Sequence, residues 1–66
     1  MNDTVEELES ELQMAYLNID NIAARVSNKE LDAYEGFLES QKWKDRIVEI
    51  GYALKEKGID ITQRVE

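Results

Sequence analysis

LESQKW, residues 38–43, is the stretch on which the reading of this chain turns. The residues before it form one apolar face and those after it form another. At about 100° per residue, Leu31, Tyr34, Phe37 and Leu38 gather on one side of a helical wheel. Trp43, Ile47, Ile50 and Leu54 form a second group, displaced from the first by roughly half a turn of that wheel. Neither Pro nor Gly lies between 37 and 50, so nothing in the segment forces a break, although Ser40 has the chemistry to cap a new helix. A continuous helix over about 28–57 turns one group toward a neighbouring helix and leaves the other for a different partner. A break near Ser40 instead lets a third helix fold back.

The segment upstream is regular. Val5, Leu8, Leu12, Ala15, Ile19, Ile22 and Val26 recur at steps of three and four, which is a heptad stripe. Thr4 followed by Glu7 has the spacing of a capping box, and the carboxylates of the opening turns suit the positive end of the helix dipole. The pattern predicts a helix over about 4–26. Three heptads are too few for a free-standing coiled coil, so the stripe must pack on the rest of the chain or on a copy of it.

Ser27 with Glu30 repeats the capping-box spacing and predicts a tight turn near residues 25–28. A connection that short makes the two helices antiparallel. At the far end, Lys55 and Lys57 fit a last turn, Gly58 fits a left-handed cap, and Ile59 is placed for the apolar contact of a Schellman motif. Residues 59–66, IDITQRVE, alternate enough to suggest a short extended tail. The expected architecture is therefore all-α, a single helical domain over 1–66 built as an antiparallel hairpin that self-associates into a helical bundle.

Size supports association. A chain of 66 residues is short for an independent core, burying only about 60% of the surface it exposes when unfolded. With no Cys and no His, neither a disulfide nor an ordinary zinc site is available as a staple. The lack of Cys, and of a basic-then-apolar leader, points to a cytoplasmic protein, or to the host cytoplasm for a viral one. No apolar run approaches the roughly 20 residues of a membrane span, so no membrane partner is expected.

The net charge of −7 opposes direct binding to nucleic acid. Residues 1–24 carry six carboxylates and no cation, whereas 42–66 have a net charge of +1. An acidic first helix therefore suits a more basic second helix or a basic protein partner. The helix, glycine turn and Thr-Gln of EIGYALKEKGIDITQRVE resemble the opening of a helix-turn-helix, but no recognition helix follows before Glu66. Catalysis is not expected, because acid–base work would fall to carboxylates, Lys or Tyr alone. The pairs Glu35/Glu39 and Asp45/Glu49 have cation-compatible spacing but fit solvated helix faces better, and no metal or cofactor is expected.

The leading expectation is a non-enzymatic interaction or regulatory protein acting as a homo-oligomer, with a dimer favoured. Its contact is placed at Trp43, Ile47, Ile50, Tyr52 and Leu54, because tryptophan beside arginine is typical of residues that dominate interfaces. Partner contacts are placed at Glu6, Glu7, Glu9 and Glu11 and at the cluster Lys42, Lys44 and Arg46. A second reading is a small acidic inhibitor, of phage or mobile-element type, that blocks the basic groove of a host nucleic-acid enzyme or defence protein. A third is a ligand-binding oligomer that sequesters a small anionic molecule.

Overall fold

The computed structural model describes residues 4–59 as two helices, α1 (Val5–Ser27) and α2 (Ala33–Glu56), packed against each other as a hairpin. Among the described residues there is no strand and no helix long and apolar enough to cross a membrane. The tail expected over 59–66 lies, past Ile59, outside the described residues.

Helix α1 starts as its sequence predicts. The Thr4 Oγ1 accepts a hydrogen bond from the Glu7 amide at 3.1 Å, satisfying one of the orphan donors of the first turn. The end of α1 departs from expectation. Ser27 closes α1 instead of opening α2, and residues 28–32 form the connection. The cap that does open α2 is Asp32, whose Oδ2 accepts from the Tyr34 amide at 3.0 Å. Helix α2 thus begins at Ala33, five residues later than the Ser27/Glu30 spacing suggests.

The turn is set by a Schellman motif with an unusual central residue. Lys29 takes φ 64°, the left-handed region that glycine favours. The Glu30 amide donates to the Arg25 carbonyl at 2.8 Å and the Lys29 amide to the Val26 carbonyl at 3.0 Å. The same motif closes α2, here with the predicted residues. Gly58 has φ 89°, the Ile59 amide donates to the Leu54 carbonyl at 2.9 Å, and Ile59 packs on the core that contains Leu54.

No break occurs near Ser40. The Ser40 Oγ donates to the Gly36 carbonyl at 2.7 Å, so its hydroxyl is held by the preceding turn of the same helix and does not cap a new one. With the helix unbroken, the seam toward α1 extends back from Leu54 through Ile50, Ile47 and Trp43 to Ser40 and Gly36, at heptad steps. Gly36 is buried, and a Cβ there would stand 2.5 Å from the Val26 Cγ2. The helices approach closely at this end because the seam position has no side chain. At the open end, bulk replaces closeness: Leu8 and Leu12 of α1 pack with Ile50 and Leu54 of α2, flanked by Val5, Ile47 and Ala53.

Candidate functional site

The four seam residues placed at an inter-chain contact by sequence lie on the side of α2 that faces α1. Ile50 and Leu54 are 1% and 0% exposed and belong to the hairpin's own core, with Ile47 packed against it. Trp43 is half-buried, in a shallow hollow that it lines with Glu39, Lys42 and Arg46. The physical reason is continuity of α2. An unbroken helix can offer α1 only one of its two apolar groups, and the group containing Trp43 shares its face with the small residues Gly36 and Ser40, which admit α1.

The other group is therefore turned outward. Tyr34 is 66% exposed, Phe37 56% and Leu38 44%, and the same outer face continues to Val48 at 55% and Tyr52 at 67%. Tyr52, expected beside Ile50 and Leu54, lies roughly half a helical turn from them and belongs to this outer set. Among the described residues, the large apolar side chains left exposed outnumber those that are buried. Beside Gly36 and Ser40, a shallow groove opens between Ile19 and Val26 of α1 and Ala33 and Phe37 of α2, so Phe37 joins the outer face to the cleft between the helices.

The pairing of an acidic first helix with a more basic second one is seen in a contact between the helices. Arg46 bridges the helices by donating to the Glu11 carboxylate, and it also donates to Glu49 on its own helix at 3.0 Å. These contacts, Glu49 first and Glu11 next, push the Arg46 guanidinium further toward its charged form. Its side chain and that of Glu11 are about half exposed, so the bridge contributes less than about 1 kcal/mol. Glu6 and Glu7 occupy the first turn of α1, where they favour the helix dipole. Glu9 follows one turn of chain later, partly covered and with an interaction of its own. Lys42 edges the Trp43 hollow, while Lys44 lies on the opposite flank, beside the groove.

Of the two carboxylate pairs with cation-compatible spacing, Asp45/Glu49 has other partners on α2. Asp45 accepts from the Gln41 amide at 3.3 Å and Glu49 accepts from Arg46. Among the described residues, no group of three or more acidic side chains is arranged to hold a metal ion. No protein-family model, curated protein or solved structure matches the chain. The outer face of α2 is the surface that sequence reasoning missed as a unit. Its signal was available: Leu38 and Tyr52 recur with Tyr34 and Val48 at steps of three and four across Gln41 and Asp45, once the helix is taken as continuous.

Proposed function

We propose that this chain is a non-enzymatic protein–protein interaction module, a regulatory hairpin that works as a homo-oligomeric helical bundle. The observation that carries the reading is the outward row of Tyr34, Phe37, Leu38, Val48 and Tyr52 on α2. Exposed apolar clusters of this kind, here Tyr34, Phe37 and Leu38 at one end and Val48 and Tyr52 at the other, are typical of interaction sites, and among the described residues no third element covers them. Association also buries large apolar side chains that the hairpin leaves exposed. The cysteine-free composition suits a reducing compartment such as the cytoplasm.

Sedimentation equilibrium over a range of concentrations tests the reading with two double variants. Leu38→Glu with Val48→Glu should give a folded, helical species at the chain mass of 7.7 kDa, against a multiple of that mass for the wild type. Trp43→Glu with Ile50→Glu should unfold the hairpin, because it places charge in the seam between α1 and α2. A wild type that stays at the chain mass at all concentrations would remove the proposal.

A further inference from the structure

The outer row of α2 has a symmetry that names its occupant. Tyr34, Leu38, Gln41, Asp45, Val48 and Tyr52 follow steps of four, three, four, three and four. Read from either end, these six positions are aromatic, aliphatic, polar, polar, aliphatic, aromatic, while Phe37 at the edge of the face has Glu49 as its counterpart. An isologous contact requires such a surface, because residue i meets residue j while j meets i. We propose that two copies of the chain pair through the outer faces of α2, antiparallel about a two-fold axis that passes near the level of residue 43. Tyr34 of each copy then meets Tyr52 of the other, Leu38 meets Val48, and Gln41 meets Asp45. This inference rests on the self-association reading and deepens it by fixing the partner and its direction.

The polar centre decides between directions. A parallel pairing in the same register sets Asp45 against Asp45 and Gln41 against Gln41, opposing two carboxylates in the middle of an otherwise apolar contact. The antiparallel pairing brings each Asp45 to the other copy's Gln41, an amide of the kind that already donates to Asp45 within the chain. Lys42 and Lys44 of the second copy lie within one helical turn of Asp45 in either direction, so the choice rests on avoiding the opposition of Asp45 to Asp45. Charge complementarity of this sort sets orientation more than strength, as polar residues do at a single position of a coiled coil. At both ends the contact is aromatic, and each tyrosine keeps its hydroxyl at a rim that water can reach. Helix α1 lies on the opposite side of α2, so it does not obstruct the approach.

Direction can be read by cross-linking, and a chain free of cysteine gives a clean background. Tyr34→Cys and Tyr52→Cys are made singly, both at exposed positions, and checked for wild-type helicity. Each is treated with a short bismaleimide alone, and then as an equimolar mixture refolded together, with sedimentation run in parallel. Residues 34 and 52 are about 27 Å apart along one helix at 1.5 Å per residue, beyond the reach of such a linker from 34 to 34 or 52 to 52 in the antiparallel pair. The expected result is a cross-linked dimer in the mixture, in up to roughly half of the chains by random pairing, and none with either variant alone. Efficient cross-linking of Tyr34→Cys alone would show a parallel pair and overturn the inference while the self-association reading stands. A dimer mass with no cross-link in any sample would also overturn it, placing the contact elsewhere. A chain mass throughout would overturn both.

Discussion

The two ends of the hairpin hold α1 and α2 together by opposite means. At the open end, Leu8, Leu12, Ile50 and Leu54 fill the seam with bulk, and Ile59 closes it past the Gly58 cap. At the turn end, the α2 seam positions are Gly36 and Ser40, and the helices meet by proximity, with the Gly36 backbone against Val26 and Ile22. The apolar bulk that the turn-end seam lacks stands on the outside of the same helix, as Tyr34, Phe37 and Leu38. The open end has a bulky core of its own, with Val48 and Tyr52 exposed outside it, whereas the turn end packs by proximity and has its large side chains of α2 exposed. Exposed apolar surface thus follows from which residues the seam excludes.

Truncating the open end should have the largest effect. Leu12→Ala or Leu54→Ala removes a buried side chain and leaves a cavity, for a loss of about 2–5 kcal/mol, comparable with the whole stability of a domain this small. Urea titration followed by circular dichroism should show the variants largely unfolded without denaturant. At the turn end the sign depends on a neighbour. Gly36→Ala gains about 1 kcal/mol of helix propensity, but crowding against Val26 costs about 1–3 kcal/mol, so the single variant should lose stability. In a Val26→Ala background the same change should become stabilising, and a double-mutant cycle that shows simple additivity would refute the close approach.

Smaller effects separate the two helix caps. Lys29 adopts a left-handed conformation that costs a side-chain-bearing residue about 1 kcal/mol, so Lys29→Gly should raise stability by about that amount. Gly58→Ala should lower it similarly. Thermal melts of the two variants should shift in opposite directions. The smallest effect belongs to the ion pair between the ends: Glu11→Gln should cost a few tenths of a kcal/mol, and less at high salt, because both partners are half in water.

The open end was the more legible in sequence for the same reason that it is the more conventional. A stripe of large apolar residues announces a seam, and Gly58 followed by Ile59 announces its cap. The stripe of α1, its Thr4 cap and the antiparallel hairpin all follow from such signals. The turn end conceals itself. Gly36 and Ser40 continue the heptad of Trp43, Ile47, Ile50 and Leu54, but as small residues they do not register in an apolar pattern. The apolar pattern therefore changes sides at LESQKW while the seam does not. Lys29 and Asp32 hide in a similar way, since a left-handed lysine has no propensity signature, and Ser27 with Glu30 offers a competing cap of the usual spacing. The candidate surface was missed accordingly. Trp43, Ile47, Ile50 and Leu54 are the more hydrophobic group, but the close contact at Gly36 directs that group inward and the tyrosines outward.

Everything about the outer face depends on α2 running without interruption through residues 38–43. Only on one continuous rod do Tyr34, Phe37 and Leu38 stand opposite Trp43, Ile47, Ile50 and Leu54. Amide hydrogen exchange resolved by residue tests this directly. A continuous helix predicts that the amides of Gln41, Lys42 and Trp43 are protected as strongly as those of Ile47 to Ile50, since each donates within the helix. Near-unprotected exchange at these three amides, flanked by protection on both sides, would mean that Ser40 starts a new helix, and it would contradict the account.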